Sequence, residues 1–220
     1  MRLRNILNIV SGVFLALASV SVQAEEAKDP KAMSLLDKAY KVVDGNNSYS
    51  IKFTLDIRNN QTGKNQKMKG SVDMKAEKFK LSVAGVETYF DGTTEYVYMK
   101  DNNEVNISTP DKEQLKSLNP LYILRSYKEG YKMKYIGTDK TPTGTIEIVD
   151  LFPDDLKSQY ARVTLSLDAT SLLPVCVLVQ GKNGVNTIVS VDEMKKAVFA
   201  DSDFVFETAK YKDVEVIDLR

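Results

Sequence analysis

The sequence predicts a mainly β protein of the α+β class: one large antiparallel sheet of ten or eleven strands that curls, with helices covering its concave face. Three observations predict it. Apolar residues alternate at a period of two through most of the chain, helical spacing occurs only at the start and in the middle, and several strands are apolar on both sides. An antiparallel sheet with one solvated face has no use for the last feature, so part of the second face needs cover.

The chain opens with Arg2 and Arg4, an apolar run from Ile6 to Val22, and Val22-Gln23-Ala24 ahead of Glu25-Glu26. This pattern predicts a secretory signal peptide over residues 1–24, cleaved after Ala24. A run of about 17 residues broken by serines is short for a membrane span. Residues 25–220 then form the mature chain, long enough for a single domain with a substantial core.

Asp29-Pro30 reads as an N-cap followed by proline at the first helical position. Met33, Leu36, Ala39, Tyr40 and Val43 recur at helical spacing, and Gly45 is placed to stop the helix. From Ser50 the period becomes two, with Ile51, Phe53, Leu55 and Ile57 on one side of a strand. Met68, Val72 and Met74 belong to the next strand, and Phe79, Leu81 and Val83 to the third. Val86 to Phe90 leads into Asp91-Gly92, a strong hairpin signal, and Tyr96 to Met99 returns. Val105 to Ser108 follows.

Thr109-Pro110 and Asn119-Pro120 each predict a short helix, and together these interrupt the meander. Strand alternation resumes at Tyr131 to Tyr135, Ile146 to Leu151, Ala161 to Leu167 and Val175 to Gln180. Asn183-Gly184 turns into Val185 to Val191, and Phe204-Val205-Phe206 and Val214 to Ile217 are read as closing strands.

The chemistry is restricted by what the chain lacks. There is no histidine, which removes the usual general base and the commonest zinc ligand, so no catalytic residue, metal site or cofactor is expected. Cys176 is the single cysteine, set in an apolar strand, and reads as a small buried hydrophobe. Asp154-Asp155 and Asp201-Ser202-Asp203 read as turns. Of 30 basic and 30 acidic residues, removal of Arg2 and Arg4 leaves 28 against 30, a formal charge of −2. That balance offers nothing to a phosphate backbone, so nucleic acid is not an expected partner.

The segment MKAEKFKLSVAGVETYFDGTTEYVYMKDNNEV (residues 74–105), followed by Asn119-Pro120-Leu121-Tyr122-Ile123-Leu124, resembles the LolA family of periplasmic outer-membrane lipoprotein carriers. The shared order is a phenylalanine strand, an Asp-Gly turn, an aromatic-x-Tyr strand and a short helix with proline and leucines. The resemblance implies an incomplete antiparallel barrel with a helical lid, and a non-catalytic activity: carrying acylated lipoproteins between membranes. It implies that Phe79 and Leu81 line the pocket, with Tyr96 and Tyr98 in the aromatic positions. Phe53 and Met74 join that candidate lining. Leu121 and Leu124 fall on the lid, and with Leu115 and Leu118 they make it apolar. The family's latch arginine matches Lys75, the proline after it is Ala76, and its tryptophan is Tyr96. Lysine lacks the planar fork of arginine, so any latch at Lys75 is weaker.

The expected function is therefore a monomeric periplasmic carrier shielding acyl chains of lipoproteins or other lipids, with an inner-membrane release complex and an outer-membrane acceptor as partners. The alternative is a lipid- or lipoprotein-sensing module that acts on an envelope protein.

Overall fold

In a computed structural model, the structure describes residues 29–43, 47–111, 115 and 127–220. The expected signal peptide, Gly45 and the leucines at 118, 121 and 124 lie outside them. One helix, α1 (Pro30–Val43), precedes β1 (Ser48–Asn59), β2 (Asn65–Lys75), β3 (Lys78–Val83), β4 (Val86–Phe90), β5 (Glu95–Met99) and β6 (Glu104–Ser108). Then follow β7 (Tyr131–Thr141), β8 (Gly144–Pro153), β9 (Tyr160–Asp168), β10 (Pro174–Gly181), β11 (Val185–Ala197) and β12 (Glu215–Asp218).

These strands form one sheet in the order β12-β6-β5-β4-β3-β2-β1-β11-β10-β9-β8-β7. Two expectations need correction. The sheet has twelve strands rather than ten or eleven; it is open, with β12 and β7 as its edges. It is also mixed, because β12 lies parallel to β6. A hairpin would make that pair antiparallel; here the chain reaches the free edge of β6 by a long connection from β11, which permits parallel pairing.

α1 forms for the reasons its sequence announces. The Asp29 carboxylate accepts hydrogen bonds from the N–H of Lys31 at 2.8 Å and of Ala32 at 3.2 Å. Ala32, Leu36, Ala39 and Val43 are buried at helical spacing. The other Asp29 oxygen accepts the Tyr135 N–H at 2.9 Å, while the Asp29 N–H donates to the Met133 carbonyl at 3.2 Å. One residue thus caps the helix and fastens it to the edge strand β7. At the far end the Val42 carbonyl accepts the Tyr49 hydroxyl of β1 at 2.9 Å. Fourteen residues of helix span about 21 Å, against about 24 Å for five strand spacings, so α1 crosses the sheet from β7 to β1.

The buried residues of α1 belong to one apolar cluster with Tyr49, Ile51, Phe53, Met74, Phe79, Phe90, Val149, Leu165 and others on a single face, the helix face. A second cluster lies on the opposite face: Tyr89, Tyr98, Val105 and Ile107 pack against Phe206, with Tyr96, Tyr211 and Val214 at its margin. The segment between β11 and β12 crosses this face as a strap. Phe204-Val205-Phe206 is part of the strap and not a strand: Asp201–Phe204 is a 3-10 turn. Three residues with two aromatics satisfy an alternation pattern by accident, and here both phenylalanines face the sheet, Phe204 fully buried and Phe206 4% exposed.

β6 and β7 lie near opposite edges of the open sheet, and of the connection between them the structure describes residues 109–111, 115 and 127–130. At one end of that connection, Leu115 donates its N–H to the Asp111 carbonyl at 3.0 Å and packs against the helix-face cluster. At the other, the buried Tyr127 hydroxyl donates to Asp37 of α1, and Lys128 Nζ pairs with the same carboxylate at 2.8 Å.

Candidate functional site

Strand register decides which predicted residues share a surface. Phe53 lies opposite Gly70, Met74 opposite Phe79, Phe79 opposite Phe90, and Leu81 opposite both Val72 and Thr88. Phe53, Met74, Phe79 and Leu81 therefore share the helix face. Gly70 makes room for Phe53: a Cβ there would stand 2.4 Å from the Phe53 ring. Phe79 is 2% exposed, its ring centroid 5.6 Å from that of Phe90.

Tyr96 and Tyr98 are not with them. Phe90 pairs with Glu95, which places Tyr96 beside Tyr89 and Tyr98 beside Glu87, on the strap face. There the Tyr98 ring packs, tilted, with its centroid 5.0 Å from that of Phe206 and 4.7 Å from that of Tyr211. Its hydroxyl donates to the Asn103 side chain at 3.1 Å.

The helix-face position expected for Tyr96 is filled instead by Glu95, Val97 and Met99. Val83 pairs with Val86, Val86 with Met99, and Thr88 with Val97. With Leu81 these make an apolar stripe on β3 to β5 whose members are only half-buried. Sequence reasoning does not single out Val83, Val86 or Val97 for this face; their in-phase alternation with Leu81 is the signal that could find them. Glu95 ends the stripe at 9% exposure, with Ser108 donating to its Oε2 at 3.1 Å. Burial pushes its pKa up.

Lys75 ends β2 on the strap face. Its Nζ donates to the Phe199 carbonyl at 3.0 Å and to Asp201 at 2.9 Å, while Lys78 reaches the other Asp201 oxygen at 2.8 Å. Lys75 is a fastener for the strap. The following Ala76 has φ 51°, a conformation that the proline ring cannot adopt. The turn between β2 and β3 thus excludes the family's proline at this position.

Between the strap and the sheet lies a cleft of about 480 Å³ lined in part by Asp73, Lys80, Tyr89, Glu207, Lys210 and Tyr211. Its charges are internally engaged: Lys210 pairs with Glu207 at 2.9 Å, Lys80 stands over the Tyr89 ring, and Ser50 donates to Asp73 at 2.6 Å. Cys176 is half-buried and burial raises its pKa, the opposite of a reactive thiol. Of the expected lid residues, Leu115 touches the helix-face cluster and Leu118, Leu121 and Leu124 lie outside the described residues.

A family model described as outer membrane lipoprotein carrier protein LolA matches residues 17–183, more than half of the chain. Among curated proteins none matches significantly. An uncharacterized conserved protein from Thermus thermophilus superposes with a TM-score of 0.60 at 15% identity, covering 86% of this chain and 99% of that one. A LolA superfamily protein from Nitrosomonas europaea gives a TM-score of 0.47 at 12% identity, covering 80% and 97%. The lipoprotein LppX of Mycobacterium tuberculosis gives 0.47 at 12%, covering 78% and 99%.

Proposed function

We propose, from the premise that this chain belongs to the LolA family of outer membrane lipoprotein carrier proteins, that it is a non-catalytic periplasmic carrier shielding acyl chains of lipoproteins or related lipids. Export by the N-terminal signal, cleaved after Ala24, delivers it to that compartment. The observation that carries the reading is the half-buried apolar stripe of Leu81, Val83, Val86, Val97 and Met99 beside a fully packed aromatic pair.

A sixteen-carbon chain gains roughly 12 kcal/mol on leaving water, at about 0.8 kcal/mol per CH₂. A carrier needs an apolar surface that is covered when empty and uncovered for cargo. Residues 110–130 are assigned the cover, a reading supported by Leu115, which packs against the helix-face cluster. The lid leucines 118, 121 and 124 act in the same way, and the inner-membrane release complex and outer-membrane acceptor are the partners. Met99 and Met74 give the lining the adaptability that loose, reversible binding requires.

The test is extraction of the purified mature protein followed by mass spectrometry of bound lipid, with displacement of the neutral probe N-phenylnaphthylamine by acyl ligands. Leu81→Asp and Met99→Asp, at half-buried positions, are expected to weaken probe binding while circular dichroism is retained. Phe79 is unsuited to this test, because a charge at a 2% exposed site breaks the core itself. Absence of lipid and of probe binding overturns the reading.

A second reading, a module sensing lipid or lipoprotein for an envelope partner, is favoured by the polar cleft on the strap face, a separate surface of mixed charge. Probe binding with no transfer to an acceptor membrane would favour it.

A further inference from the structure

Glu95 is a largely buried carboxylate with one of its two oxygens unpartnered among the described residues and not fully enclosed. It opens β5 on the helix face, between Phe90 of β4 and Ser108 of β6. It is 9% exposed. Oε2 accepts the Ser108 hydroxyl at 3.1 Å, and among the described residues Oε1 has no partner. The neighbouring lysines are engaged elsewhere: Lys75 and Lys78 hold Asp201, and Lys80 and Lys100 face Glu87. Side chains around it on its own face, Phe90, Thr88, Val97, Asn106 and Ser108, carry no charge.

At 9% exposure the carboxylate is largely stripped of water, and its accessible Oε1 is open to an arriving donor. The apolar stripe begins beside it. From Glu95 to Met99 along β5 is about 14 Å at 3.4 Å per residue, a track on which a hydrocarbon tail lies with its head at Glu95. Ser108 is also the last residue of β6, so this head position sits where residues 109–130 leave the sheet.

We infer that Glu95 makes the helix face selective for acyl ligands whose polar end carries an N–H donor, an amide or an ammonium, and against free fatty acids. The inference rests on the acyl-binding reading above. An N–H donor completes the carboxylate's hydrogen bonding, whereas a fatty-acid carboxylate meets a like charge in a poorly hydrated site, so discrimination comes from repulsion as well as attraction.

The experiment displaces N-phenylnaphthylamine from the mature protein with three ligands of equal chain length: dodecylamine, N-dodecanoylethanolamine and dodecanoate, in mildly alkaline buffer. The parent protein is expected to bind the amine and the amide at least about tenfold more tightly than dodecanoate, the yield of one charge-assisted hydrogen bond. Glu95→Gln is expected to shrink the amine's advantage and admit dodecanoate, with folding checked by thermal melting. An amine preferred over the amide identifies an ammonium lipid headgroup as the natural source; the reverse identifies an acylated polypeptide terminus. Equal binding of all three, or a Glu95→Gln variant with unchanged preferences, overturns this inference and leaves the carrier reading standing. Failure of every ligand to displace the probe overturns the carrier reading as well.

Discussion

Lys75 Nζ stands 2.9 Å from Asp201 Oδ1, joining the end of β2 to the first turn of the strap. With Lys78 on the other oxygen, the two ammonium groups lower the Asp201 pKa to about 2. A carboxylate with a depressed pKa stabilises the folded form above its unfolded value of 3.8, and that contribution is lost as pH falls through about 2. Asp201 is well exposed, so the effect on global stability is small. The expected outcome is local: Asp201→Asn at neutral pH, or acidification once exchange is corrected for its intrinsic pH dependence, lowers amide protection factors over residues 198–204 while β1 and β11 keep their protection. Unchanged exchange in that stretch would show that Phe204 and Phe206 hold the strap unaided.

Two tight turns place alanine at positive φ, Ala76 at 51° and Ala84 at 52°. Left-handed backbone costs an alanine roughly 1 kcal/mol that glycine does not incur. Ala84 shares its two-residue turn with Gly85 at φ 80°, the pairing of positive angles that asparagine and glycine favour in hairpins. Ala84→Gly is expected to raise stability by up to about 1 kcal/mol, read from chemical denaturation. Ala76→Pro, which restores the family's residue, is expected to destabilise by about 3 kcal/mol or more.

Asp29 is the hinge between helix and sheet. Its pKa is lowered chiefly by the Tyr135 N–H on β7, then by the helix N–H groups of Ala32 and Lys31. Asp29→Ala removes both the cap and the tie, at an expected cost of roughly 1 to 2 kcal/mol. Asp29→Asn retains one acceptor and should cost less. Equal loss for the two variants would mean that charge, rather than the shared hydrogen bonds, does the holding.

Much of this arrangement is legible in the residues. The Asp29-Pro30 start of α1 and the bounds of β3 and β4 follow from capping chemistry and alternation. What fails is the transfer of Tyr96 and Tyr98 to the lining. The turn Ala84-Gly85 has two residues and the loop Asp91–Thr94 has four, both even, and that parity sets the tyrosines beside Tyr89 rather than Phe90. Alternation tells which residues of one strand share a face, but only loop length tells how two strands agree. The parallel β12 is beyond reach for another reason: its partner β6 is more than a hundred residues away, and no local pattern encodes a contact across that distance.

Glu95 offers a check on the helix face without any ligand. Burial raises its pKa above the ordinary 4.5, the Ser108 hydrogen bond only partly opposing. A carboxyl whose pKa is higher in the folded form supports folding when protonated, so its contribution is complete below about 4.5 and is lost as pH rises through the folded value. At neutral pH the parent protein carries the cost of that buried charge, and Glu95→Gln relieves it while keeping an acceptor for Ser108. The variant is expected to melt at a higher temperature than the parent near pH 7 and to converge with it near pH 4, in melts followed at both values. A difference that persists unchanged at low pH would trace to packing and would remove the reason for regarding Glu95 as a charge awaiting a partner.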